Sequence, residues 1–194
     1  MAVTTKRPGK AAIMRAAVEV MGEDGYEGAS IRDMAGRAGV SVAALYYHFP
    51  SKHDLLREFL DEALDVSLAR IERRVARHTS PVEQLQEIVG TIIWSNLHDE
   101  FARRAAYVVS SEYTRLRPPE RAAIEAKRAA LLDLVEEVVR DGVAQKRFTT
   151  EEPREAARAI VTLAQSAVAV EREIDRPLDA VIELYQGFAV ALVR

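Results

Sequence analysis

Cysteine is absent from the chain, which removes disulfides, thiolate metal sites and a cysteine nucleophile together. Aromatic residues are sparse at 6%. No apolar run approaches the roughly 20 residues needed to span a bilayer. The first ten residues are polar and basic, without the apolar centre of a signal peptide. The expectation is a soluble, cytoplasmic protein with no membrane partner. No alternating strand pattern and no internal repeat is visible. The four histidines, His48, His53, His78 and His98, do not cluster with carboxylates at ligand spacing, so neither a metal nor another cofactor is expected.

What abounds is Ala, Val, Leu, Glu and Arg, residues that mostly lose little rotamer freedom in a helix. Hydrophobic content of 48% over 194 residues is ample for a core. The net charge is −3, which by itself argues against binding DNA. Its distribution says more: Lys6, Arg7 and Lys10 precede the first acid, Glu19, whereas acids such as Glu136, Glu137, Glu151 and Glu152 fall late. A local basic face can hold DNA on a mildly acidic protein.

Residues 1–9 form a basic arm ended by Pro8-Gly9. Ile13, Ala17, Val20 and Met21 then recur at helical spacing until Gly22 and Gly25 break the pattern. Three serine caps follow in quick succession. Ser30 with Asp33 opens a helix over Ile31, Met34, Ala35 and Ala38. Ser41 opens another reaching Tyr47, and Ser51 with Asp54 opens a long helix to Arg77. Gly39 supplies the tight turn between the first two, each too short to be stable alone in water. Further on, Ser80-Pro81 with Glu83 reads as a capping box for a helix to His98. Helices over residues 100–111, 118–142, 150–170 and 177–193 complete an all-α protein.

Two short capped helices joined by a glycine turn have the geometry of a helix-turn-helix, whose second helix enters the major groove. Ser30, Ala35, Ala38-Gly39-Val40-Ser41, Leu45-Tyr46, His48-Phe49, Lys52 and Leu55-Leu56 together resemble the DNA-binding signature of TetR-family regulators. The helix layout is similar over essentially the whole chain. The resemblance implies a three-helix DNA-binding domain at residues 1–55 and a helical bundle for ligand binding and dimerisation at 56–194. It implies that Ser30 offers a phosphate its hydroxyl and helix N-terminus, that Arg32 reaches a guanine edge or phosphate, and that Val42, Ala43 and Ala44 face bases. Tyr46, His48 and Lys52 would clamp phosphates, while Leu45 and Phe49 form core. Residues 42–44 depart from the family's common Lys or Pro followed by Gly-Thr or Ala-Ala. All three are small and apolar, so readout must lean on thymine methyls, Arg32, Tyr47 and DNA shape.

The last two helices are apolar on more than one face. Ile160, Val161, Ala164 and Val168, with Val181, Leu184, Tyr185, Phe188 and Leu192, exceed what one protomer can bury. A four-helix interface in a twofold homodimer is expected, with recognition helices about 34 Å apart on a palindromic operator. Polar and aromatic residues interrupt apolar faces at Thr91, Trp94, Ser95, His98, Tyr107, Ser110, Tyr113, Thr162 and Gln165, marking the expected sensing pocket. Residues 112–164, with Glu112, Leu116, Pro118, Glu120-Arg121, Arg128, Phe148 and Pro153, resemble the sensing domains of TetR-type regulators of lipid, sterol and acyl-CoA catabolism, although Thr114 replaces a frequent Arg. That resemblance implies a fatty-acyl-CoA or related inducer, and a repressor that is not an enzyme. A small helical enzyme would need a nucleophile–base pair that the sequence lacks. A bare dimerisation module would leave the helix-turn-helix chemistry unexplained.

Overall fold

The computed structural model describes residues 9–170 and 176–194, without the side chains of 168–170. The basic arm before Gly9 and the side chain of the expected interface residue Val168 therefore lie outside what is described. All regular structure among the described residues is helical: α1 (Lys10–Gly28), α2 (Ile31–Ala38), α3 (Val42–His48), α4 (Lys52–Val75), α5 (Pro81–Leu97), α6 (Glu100–Ser111), a 3₁₀ turn (Tyr113–Arg115), α7 (Pro118–Ala144), α8 (Pro153–Val170) and α9 (Leu178–Ala191). None is long and apolar enough to cross a membrane.

The serine caps form as their spacing demands. Ser30 Oγ accepts from the Asp33 backbone N–H at 3.1 Å, Ser41 Oγ from Ala44 at 3.1 Å, and Ser51 Oγ from Asp54 at 3.1 Å. Each satisfies one of the orphan donors of a helix start. Gly39 takes the left-handed conformation (φ 68°), and the Val40 N–H closes back on the Ala35 carbonyl at 2.9 Å. A Cβ there would meet the steric penalty that L-residues suffer at positive φ. The break in α1 falls at Gly25, also at positive φ.

Two expectations need correction. Ser80 is the N-cap of α5, but its hydroxyl makes no capping bond. Pro81 at the first helical position removes an N–H that would otherwise be orphaned, and Gln84 instead donates its side-chain N–H to the His78 carbonyl at 2.9 Å. Gly142 does not end α7, which continues to Ala144. Lys146 adopts the left-handed conformation (φ 58°) after it, and Arg147 and Phe148 donate to the Gly142 carbonyl at 2.8 and 3.1 Å. Gly142 is there for space, because a Cβ would enter the Phe148 ring.

The chain forms two compact units: residues 1–63 with 104–121, and residues 64–103 with 122–194. In the first, Ile13, Ala17, Met21, Met34, Leu45, Phe49, Leu55, Leu56 and Leu60 are buried, as are Val108 and Leu116 of the inserted segment. In the second, α5 packs chiefly against α9 and α8, around Ile88, Val89, Val135, Val139, Phe148, Ile160 and Val181. Gly90 allows the close approach of α9, since a Cβ would lie 2.7 Å from the Gln186 side chain.

Gly142→Ala should lower the urea midpoint at unchanged m-value. Its gain in helix propensity of about 1 kcal/mol is outweighed by overpacking against Phe148, for a net loss of about 1–2 kcal/mol. An unchanged midpoint would show that Phe148 swings aside freely.

Candidate functional site

The surface of the first unit is organised around α3. Leu45 and Phe49 point inward and are fully buried, which seats the helix. Its other face is presented outward: Tyr47 is 86% exposed, Tyr46 48% and Val42 37%, and Ala43 is exposed beside them. Ala44 and His48 are half-buried, the latter meeting the Tyr47 ring edge-on at 5.3 Å. Arg32 is exposed on α2. Large apolar and aromatic side chains held out on a rigid, capped helix are costly to solvate and suit a partner surface.

Two of the expected DNA contacts are more engaged than the sequence suggested. The Ser30 hydroxyl donates to the Asp33 carboxylate while accepting from its N–H, so its own hydrogen is already used. Lys52 is half-buried and donates to the carbonyls of Tyr26 and Ala29 at 2.6 and 3.0 Å. The Ser30–Asp33 pairing is the capping signal read from the sequence, whereas the partners of Lys52 lie 23 or more residues away and leave no such signal.

The helix-turn-helix is supported by polar links within its own unit that sequence reasoning missed. Glu23 of α1 accepts from Arg37 of α2 at 2.7 Å and pairs also with Arg104 of α6. Arg115 pairs with Glu27 at 2.5 Å and with buried Glu112 at 2.8 Å. His53 of α4 meets Glu120 of α7 at 2.7 Å. A Cβ on Gly22 would stand 2.8 Å from the Arg104 Cβ, so glycine lets α1 approach the segment that carries Arg104. Hydrogen bonds from Arg37, with the charge of Arg104, hold the Glu23 carboxyl below the usual carboxylate range. For Glu120, burial acts upward, but hydrogen bonds from His53 and the Arg117 N–H prevail and lower it.

Residues 13–59 match the family model described as "Bacterial regulatory proteins, tetR family", and residues 78–169 match "Tetracyclin repressor-like, C-terminal domain". The chain belongs to the TetR family. It is similar to the HTH-type transcriptional regulator UidR of Escherichia coli K12, at 28% identity over 141 residues, 71% of this chain and 68% of that protein. Its fold is similar to the regulator FadR of Bacillus subtilis in complex with stearoyl-CoA, with TM-score 0.80, 21% identity, and 96% and 100% of the two chains covered. AibR in complex with isovaleryl coenzyme A and operator DNA gives TM-score 0.80 at 21% identity, covering 94% and 96%. As a TetR-family member, the chain is a DNA-binding transcriptional regulator with an N-terminal helix-turn-helix.

The residues expected to line a sensing pocket in this TetR-family chain are divided between the two units. Tyr107, Ser110 and Tyr113 fall in the first unit, the other six in the second. Thr91 is buried and donates to Glu87 at 3.4 Å, and Ser95 accepts from Arg70 at 3.1 Å. Trp94 is 40% exposed and stacks on His98 at 4.1 Å. A recess of about 220 Å³ in the second unit is lined by Arg74, Glu87, Gly90, Trp94, Asp179, Ile182 and Gln186. Only Trp94 of the expected set reaches it. It is smaller than the roughly 300–1,000 Å³ of ligand pockets, and its charged walls do not suit an acyl chain. Thr162 and Gln165 instead lie exposed on α8.

The expected interface residues also divide. Ile160, Ala164, Val181 and Tyr185 are consumed by the second unit's own core, so they are not available to a partner copy. Val161 and Leu184 are half-buried, while Phe188 and Leu192 stand 47% and 49% exposed. Period-3.6 patterning identifies apolar positions, not which of two apolar faces is already covered.

Glu23 supplies a pH test. Its folded-state pKa is depressed, so its contribution is present above its unfolded pKa and is lost as pH falls through the folded value. Thermal melts of wild type and Glu23→Gln should therefore differ at neutral pH and converge below the carboxylate range. A gap that persists undiminished in acid would mean the ion pairs add nothing.

Proposed function

We propose that the chain is a ligand-responsive repressor, which binds a palindromic operator as a homodimer and is released by a hydrophobic acyl-CoA or related lipid-like inducer. The observation that carries the DNA-reading half is α3: capped by Ser41, seated by Leu45 and Phe49, yet turning Val42, Tyr46 and Tyr47 to solvent. Val42, Ala43 and Ala44 have no side-chain donor or acceptor, so they fit against thymine methyls. Arg32, Tyr46, Tyr47 and His48 supply the polar contacts that fix register on phosphates and base edges. In this reading residues 1–55 are the reader and residues 56–194 the sensing and pairing domain, with α4 continuous between them.

Control follows from linkage. An inducer shifts the population only by binding the DNA-incompetent form more tightly than the competent one. The acyl-CoA class is supported by the likeness to FadR and AibR. Fluorescence anisotropy with duplexes tiling the DNA upstream of its own gene is the test. One duplex should bind tightly, at about 10⁻⁸ M, the Tyr46→Ala/Tyr47→Ala variant should lose at least tenfold at unchanged helicity, and stearoyl-CoA should release the bound duplex. Flat titrations at low ionic strength would refute the reader, while a tight complex indifferent to acyl-CoA thioesters would remove only the inducer class.

Pairing is placed on the faces of α8 and α9 left open by the core. Phe188 and Leu192 form a stripe with Gly187 and Ala191, and Ala159, Thr162, Gln165 and Ser166 form the exposed face of α8. Small residues beside two large apolar ones allow helices of two copies to approach closely. Phe188→Glu should convert a sedimenting dimer to monomer and weaken operator binding while leaving far-UV circular dichroism intact. A dimer unaffected by that change would put the interface elsewhere.

A further inference from the structure

The Lys52 ammonium is enclosed on several sides within the first unit. It donates to the Tyr26 carbonyl at 2.6 Å and to the Ala29 carbonyl at 3.0 Å, and it stands 4.4 Å from the centroid of the Tyr26 ring. An ammonium has three N–H donors. Two are spent on carbonyls and the ring lies on a further side, so at most one N–H is left to reach a phosphate oxygen. The two carbonyls belong to the short stretch after the break of α1 at Gly25, at a helix end where carbonyl acceptors favour a cation. Ala29 is also the residue immediately before Ser30, the N-cap of α2. The Tyr26 ring is approached by a second cation, the Arg115 guanidinium at 5.6 Å, itself held by Glu112 and Glu27.

From this geometry we infer that Lys52 is a positioning residue for DNA recognition: it ties the start of α4 to the α1–α2 corner, and so sets where α2, and α3 after it, stand relative to their operator. It acts through Tyr26 and Ala29 and not through a phosphate. The inference rests on the DNA-reading function proposed above. It has a consequence that a phosphate contact lacks. A lost phosphate contact weakens specific and non-specific duplexes alike and lowers the salt dependence of binding. A misplaced recognition helix loses the specific duplex selectively and keeps its electrostatic attraction to any DNA.

The test measures binding of the best-bound upstream duplex and of a scrambled duplex by full-length Lys52→Met, Tyr26→Leu and the double variant, across a salt series and at a temperature where circular dichroism shows each fully folded. The expected result for Lys52→Met is a loss of roughly tenfold or more on the specific duplex, little change on the scrambled one, and an unchanged salt slope. Tyr26→Leu, which removes no charge, should reproduce this. The double variant should be no weaker than the worse single one, as coupled neighbours require. If Lys52→Met does not fold, Tyr26→Leu alone carries the test. The inference is overturned if Lys52→Met weakens both duplexes equally with the slope reduced by about 0.9, if it leaves binding unchanged, or if Tyr26→Leu has no selective effect. Wild-type protein that does not separate the two duplexes would instead refute the DNA-reading function itself.

Discussion

A seven-residue helix closes too few internal hydrogen bonds to persist alone in water. α3 is such a helix, so its shape is borrowed from its surroundings. Ser41 supplies the bond that its first turn lacks, Gly39 admits the left-handed turn that aims it, and Leu45 and Phe49 anchor it in the core. Once held this way, the outward face is free of structural duty. That freedom lets Val42, Ala43, Tyr46 and Tyr47 be chosen for a partner instead of for the fold.

The charged residues of the first unit work differently from its apolar ones. With a net charge of −3, the protein has no surplus of cations, and several of its arginines near the reader are committed to carboxylates: Arg37 and Arg104 to Glu23, Arg115 to Glu27 and Glu112. Exposed pairs of this kind contribute little each, about 0–1 kcal/mol. Their value lies in geometry, since they join α1 to α2 and α1 to residues 104–121. Attraction to a polyanion then falls to the outward-facing side chains and to helix N-termini.

Much of this was legible from residue order. The serine caps, Gly39, Pro81 and Pro153 mark helix starts and stops through local chemistry, which acts within four residues and so survives in a linear reading. Leu45 and Phe49 as core, and Tyr46 and Tyr47 as surface, also followed. Contacts between distant residues did not. Nothing in sequence pairs His53 with Glu120, Gly22 with Arg104 or Gly142 with Phe148, because such pairs are created by packing. The same blindness misplaced Ile160, Ala164, Val181 and Tyr185 at a surface, since an apolar stripe does not say whether its complement is in the same chain or another copy. Thr162 and Gln165, read as pocket residues from the same kind of pattern, lie exposed on α8.

The first compact unit is discontinuous, taking in residues 104–121 about forty positions beyond its main stretch. A gene segment ending at residue 63 would therefore omit buried Val108 and Leu116 and the arginines that brace α1. Moved as a simple N-terminal cassette, this unit would leave those buried side chains and ion pairs behind.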